Sequence, residues 1–165
     1  MCSSDLGCFP LPEAQLDRFL MKLSMGSMSP EQEVAMIDRF ITDEPLETLE
    51  SVADREQILS IRQRCRQVYV HRELREYIAA IAQASRQGSA MGGISPRGTL
   101  SLLRSSQGYA LVQGRDYVVP EDIREVSGPV LAHRLIGAES ERQAKEMVRN
   151  WFDTVEVPTE DWKRA

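Results

Sequence analysis

Repeatedly along this chain a helix-opening residue stands just before apolar residues spaced three and four apart, which confines the fold to packed helices. Ser29-Pro30-Glu31-Gln32 has the form of a capping box with proline at the first helical position, and Val34, Ile37, Phe40 and Ile41 follow as its expected inward face. A proline-containing loop over 43–51 separates this helix from a second cap at Asp54 to Gln57, which leads into Ile58, Ile61, Cys65 and Val68. Leu74, Tyr77, Ile78 and Ile81 mark a third helix. Ser95 is a good N-cap and Pro96 suits the first turn of a fourth, with Leu100, Leu103, Ala110 and Leu111 as its apolar side and Gly114 as its stop. Pro120-Glu121-Asp122 opens a fifth, carrying Ile123, Val126, Val130 and Leu131, with a bend expected at Gly128-Pro129. Ser140 to Gln143 opens the last, whose Ala144, Met147, Val148, Trp151, Phe152 and Val155 form the cleanest pattern in the chain.

The first part of the chain reads differently. Pro12 can open a short helix in which Leu16 and Phe19 share a face, and residues 19–25 alternate enough to suit a strand. A lone strand needs neighbours, and no other strand pattern is found. Met1 to Gly7 fits nothing that follows and resembles a translated sequencing-adapter end, so a missing upstream part is expected. The fold class expected is mainly α: about six helices preceded by a short helix and a stray strand.

Composition narrows the function. A net charge of −5 argues against a nucleic-acid module, whose affinity would rest on neutralising phosphates. The longest wholly apolar run, Tyr77 to Ala82, falls far short of the roughly 20 residues a membrane span needs. Cys2, Cys8 and Cys65 are scattered and odd in number, suggesting neither a disulfide framework nor a zinc site, and no signal peptide is seen, so the cytoplasm is the expected location.

Arg97 is the odd residue. It lies in the first turn of its helix, where the dipole disfavours a cation by about 0.3–1 kcal/mol, behind the lead-in Gly92-Gly93. Either it is aimed at an anion or it is a solvated surface arginine, and the local pattern leaves both open. The remaining candidates have plainer readings. His71 and His133 lack partners in a cluster, Cys65 lies on an apolar stripe, Trp151 and Phe152 suit a core, and Glu13 with Asp17 are like-charged surface neighbours. Arg62, Arg64, Arg66, Arg72 and Arg75 read as a solvated face or a subunit interface.

The run Phe9-Pro10-Leu11-Pro12-Glu13-Ala14-Gln15-Leu16-Asp17-Arg18-Phe19 resembles a signature of the MoxR family of AAA+ ATPases. Ser95-Pro96-Arg97, then Gly114-Arg115-Asp116-Tyr117-Val118 with Pro120-Glu121-Asp122, match the same family in order and spacing, and 130–135 resembles its last lid helix. The likeness covers roughly residues 8 to 158. It implies a non-native or unstructured start at 1–7, the tail of an AAA+ α/β core at 8–27, a helical lid at 28–158 and a flexible tail at 159–165.

By the same resemblance Arg18 is an arginine finger acting in trans on a neighbouring subunit's γ-phosphate. Arg97 is the sensor-2 arginine, with Ser95 and Pro96 shaping its nucleotide contact. Arginine suits both roles because its planar fork pairs bidentately with phosphate oxygens. The implied activity is ATP hydrolysis, with Mg2+, in a ring homo-oligomer (a hexamer) coupled to chaperone-like remodelling or maturation of other proteins, among them von Willebrand factor A domain proteins. Val119 stands where the family has an N-capping threonine, and Ile94 and Gly98 flank the sensor where smaller and alanine-like residues are usual.

A phosphate loop of the form G-x-x-x-x-G-K-[ST] is absent, since Lys22, Lys145 and Lys163 are the only lysines and none follows a glycine. Phe40-Ile41-Thr42-Asp43-Glu44 imitates a metal-holding acidic pair, but its spacing is helical and Pro45 follows. Alone, this polypeptide is expected to hold neither ATP nor metal and to turn over no ATP. The alternative function is a non-enzymatic helical module that binds a partner through an amphipathic face.

Overall fold

The computed structural model describes residues 11–42, 44–87, 93–135, 138, 140–159 and 161–163. The expectations for 1–7, for Cys2 and Cys8, for Gly92 and for the Asp43 half of the acidic pair lie outside the described residues. The elements are α1 (Glu13–Leu16), α2 (Pro30–Thr42), α3 (Arg55–Gln67), α4 (Arg72–Gln87), α5 (Pro96–Val112), α6 (Pro120–Leu131), a 3-10 turn (Ala132–Arg134) and α7 (Glu141–Thr154). Six of these helices run twelve residues or more, and among the described residues there is no sheet. The fold is mainly α. No described helix is long and apolar enough to cross a membrane.

The helix starts follow the capping chemistry. Ser29 and Gln32 bond reciprocally, side chain to backbone, at 2.9 and 3.3 Å, and Asp54 and Gln57 do the same at 2.8 and 2.7 Å. Ser140 Oγ accepts from the Gln143 N–H. α5 ends in a Schellman motif: Gly114 adopts φ +75°, its N–H reaches Leu111 O, and the Arg115 N–H reaches Ala110 O. The turn that follows is held by Tyr69, which exchanges bonds with Asp116 O (2.7 Å) and the Val118 N–H (2.9 Å). Val119 leaves α6 without a side-chain cap, but Asp122 compensates by accepting the Val119 N–H and gripping Arg115 with both oxygens.

The chain divides into two compact units. The first comprises Met1–Lys22 and Arg64–Ala165. Its core is built by Leu74, Tyr77, Ile78 and Ile81 of α4, Ile123, Val126, Val130 and Leu131 of α6, and Val148, Trp151 and Phe152 of α7. Burial of each such side chain is worth about 1.5–3 kcal/mol, and Tyr77 meets the Phe152 ring edge-on at 6.1 Å. α5 matches expectation in part: Ala110 is buried and Leu103 and Leu111 pack against the core. Leu102 is its buried leucine and Leu100 is 60% exposed, while Ser101, Ser105, Ser106 and Gln107 face inward. Three of these polar side chains are satisfied: Ser101 Oγ accepts from Arg134, Ser106 donates to Leu102 O and Gln107 donates to Val68 O, whereas the buried Ser105 Oγ meets no partner among the described residues. Residues 130–135 form the end of α6 and the 3-10 turn, with α7 following. In the tail expected to be loose, Trp162 packs against the core and meets His71 edge-on at 5.9 Å.

The second unit is Leu23–Gln63. Here the expected inward stripe of α2 is not buried: Val34, Ile37, Phe40 and Ile41 are 53–75% exposed, as are Ile58 and Ile61 at about half. Periodicity fixes which residues share a face, but only a packed neighbour buries it, and within this unit none does. The strand expected over 19–25 also fails to form. These residues find no partner strand, and Lys22 instead gives its N–H to Pro129 O at the end of α6.

Candidate functional site

The site lies where the turn after α1 meets the start of α5. Ser95 is the N-cap, its Oγ accepting the Gly98 N–H at 3.0 Å, and Pro96 occupies the first turn, exposed. The approach to this cap is held at Gly93 and Ile94. Ser85, fully buried, accepts the Ile94 N–H at 2.9 Å, and the Arg86 guanidinium donates twice to Ile94 O. Gly93 is pressed so closely on α4 that an added Cβ would stand 2.6 Å from the backbone of Ser85 and Arg86. Gly98 leaves room for the Ile94 side chain and for Arg134, whose Cδ would be 3.3 Å from a Cβ there. The two flanking departures from the family pattern, Ile94 and Gly98, therefore fit one another.

Asp17 organises the site. Its Oδ1 accepts from Ser95 Oγ at 2.8 Å and from Arg134 Nε at 3.2 Å, and its Oδ2 faces Arg97 Nη1 at 3.9 Å. Arg134 is the buried partner, its side chain 2% exposed. The guanidinium also donates to Asp17 O (3.1 Å), Phe19 O (2.5 Å), Leu20 O (3.3 Å), Ser101 Oγ (3.0 Å) and Val130 O. Burial lowers its pKa while Asp17 raises it, and the group stays charged as arginine does in proteins. A buried cation so thoroughly bonded is the condition under which burial is tolerated.

Beside it, His133 stands between two carbonyls, Nδ1 near Pro129 O and Nε2 near Phe19 O. Burial first, and the Arg134 charge second, hold its pKa below the ordinary histidine value. Lys22 completes the attachment through Glu141 at 3.0 Å, and Glu141, bonded by Lys145 and Lys22, is lowered to about 2.

The two arginines singled out in the sequence are both accessible. Arg97 is 60% exposed, and its contact with Asp17 is long and solvated, worth about 0–1 kcal/mol, so it is steadied without being locked. Arg18 is exposed and lies over the Phe19 ring at 5.8 Å, while Asp17, its neighbour, turns to Ser95 and Arg134. The structure brings Ser95, Arg97 and the residue next to Arg18 into one cluster. Sequence reasoning missed Asp17 and Arg134. The available signal was an arginine closing an apolar run within 130–135, where a helix end offers free carbonyls. Among the described residues no group of three or more His, Cys, Asp or Glu is arranged to hold a metal.

Residues 79–151 match the AAA lid domain family. YeaC of Bacillus subtilis (strain 168) is 38% identical over 159 residues, covering 93% of this chain and 50% of YeaC. The chaperone MoxR1 of Mycobacterium tuberculosis is 37% identical over 141 residues, covering 79% of this chain and 37% of MoxR1. A crystal structure of a candidate ATPase from Cytophaga hutchinsonii superposes with a TM-score of 0.82 at 27% identity, over 96% of this chain and 52% of that one. The chain thus spans half or less of the length of the curated relatives cited here. Across the part it spans, with its helical lid, its Ser95-Pro96-Arg97 helix start and its Gly114-to-Asp122 turn, this chain belongs to the MoxR family of AAA+ ATPases.

Proposed function

We propose that this chain supplies the lid and two phosphate-facing arginines of a MoxR-type ATPase that hydrolyses ATP in a ring oligomer and couples turnover to chaperone-like remodelling or maturation of partner proteins in the cytoplasm. Arg18 is the arginine finger, reaching in trans to the γ-phosphate on a neighbouring subunit. Arg97 is the sensor-2 arginine, with Ser95 and Pro96 setting the helix start from which it extends. ATP and Mg2+ are the cofactors of the whole ATPase, with the phosphate loop provided outside this sequence. Its partners are further copies of itself and, by the family resemblance, von Willebrand factor A domain proteins. The observation that carries the reading is that both guanidinium groups are open to solvent while the backbone beside each is held by hydrogen bonds, at Ile94 before Arg97 and at Asp17 before Arg18. An arginine finger in related phosphoryl transfer contributes about 10³–10⁵ in rate.

The test joins the upstream half of YeaC to this chain and measures oligomerisation and ATP turnover. Arg18→Ala is expected to lower turnover by orders of magnitude with assembly retained, and Arg97→Ala to weaken nucleotide-dependent turnover. Unchanged turnover in Arg18→Ala oligomers would falsify the finger assignment. A second reading, a helical interaction module without a nucleotide role, is favoured by the exposed Val34, Ile37, Phe40 and Ile41 stripe. It expects Phe40→Lys to abolish partner binding and expects the joined protein to show no turnover at all.

A further inference from the structure

We propose that Asp17 and Arg134 lock the Arg18 loop and the Arg97 helix start into a single piece, so that a displacement of either arginine's support is felt at the other. The inference rests on the reading of Arg18 and Arg97 as phosphate-facing groups. Under that reading, one protomer's clip links its own nucleotide site to its neighbour's. Asp17 and Arg134 are positioning residues in this scheme, since neither reaches the nucleotide.

The geometry argues for transmission. Ser95 and Asp17 are 78 residues apart in sequence, yet their side chains bond directly at 2.8 Å. Along the run that bears Arg18, Asp17, Phe19 and Leu20 give their carbonyls to Arg134, Met21 packs against the core, and Lys22 is tied through both its N–H and its ammonium group. The side chains of Arg18, Phe19 and Leu20 turn outward to solvent while the backbone of the run is held. On the other side, Arg134 bonds Ser101 one helical turn and a half into α5, and Gly98 lets the arginine stem lie against the helix. The planar, buried guanidinium spans the two elements in one fixed orientation, which a flexible ammonium could not reproduce.

The test follows the side-chain Nε–Hε and backbone amide signals of the 15N-labelled 165-residue chain by NMR. Ser95→Ala is expected to shift the Arg18 Nε–Hε signal and the amides of 18–20, despite the sequence distance. In the reverse direction, Asp17→Asn is expected to shift the Arg97 Nε–Hε signal. Arg134→Lys keeps the charge and loses the fork, and in that background the Ser95→Ala response at Arg18 should shrink severalfold, with lowered heteronuclear NOE at 17–20. A merely structural Arg134 predicts a response as large as in the parent chain, and that result overturns the proposal. So does a Ser95→Ala variant whose α5 amides move while 18–20 stay still. Should Arg134→Lys lose the Trp151 core signal, the Ser95→Ala and Asp17→Asn experiments decide alone. Silent Arg18→Ala turnover beside intact transmission would retire the ATPase reading and leave the coupling; the opposite pair of results would do the reverse.

Discussion

Arg134 is the residue on which the site's order most depends, and it shows how a charge can be interior without being an error. Taken alone, a guanidinium at 2% exposure would be prohibitive; here one carboxylate and five further acceptors surround it. Gly93 makes a second point at this scale. Its approach to α4 permits no side chain, so Gly93→Ala should cost about 1–3 kcal/mol in urea unfolding, the range expected for overpacking, and should disturb the Arg97 helix start. His133 supplies a pH dependence. Its folded-state pKa lies below the unfolded value of 6.5, so below that pH the unfolded chain binds the proton first and stability falls. Between pH 7 and 5 the parent chain should therefore lose more stability than His133→Gln, as measured by denaturant midpoints at each pH.

At the scale of elements, helix starts and helix faces were legible to different degrees. Ser29, Asp54, Ser95 and Ser140 all cap as read, because a cap is chemistry within four residues and needs no distant partner. The faces of α4, α6 and α7 were equally readable, since Leu74, Ile123 and Phe152 each have a body to pack against. α2 has the same kind of stripe and leaves it open, and α5 buries Ala110 and packs Leu103 and Leu111 as expected but exposes Leu100 and turns serines inward as well. Both outcomes are set by what lies alongside, which local pattern does not encode. The site divides in the same way: Ser95, Pro96 and Arg97 announce themselves by position in a helix, whereas Asp17 and Arg134 acquire their roles by meeting across 117 residues. Val119 tests the capping argument. Its α6 start lacks a side-chain acceptor, so Val119→Thr should raise stability by about 0.5–1 kcal/mol, seen as a melting temperature higher by roughly 1–4 °C.

For the molecule as a whole, the two units differ in what they keep from water. The first is organised about an apolar centre, and the attachment of residues 17–22 to the end of α6 makes the Arg18 turn part of that body. Leu23–Gln63 exposes most of its large apolar side chains. The hydroxyl-rich inner side of α5 has a thermodynamic outcome of its own. Uncovering polar surface on unfolding lowers heat capacity where uncovering hydrocarbon raises it, and side chains already wet in the native chain add nothing. Calorimetry should accordingly return an unfolding heat-capacity increment below the usual value of about 12–15 cal/mol/K per residue. The stability curve of such a protein is broad and shallow, giving it an unusually even tolerance of temperature on either side of its optimum.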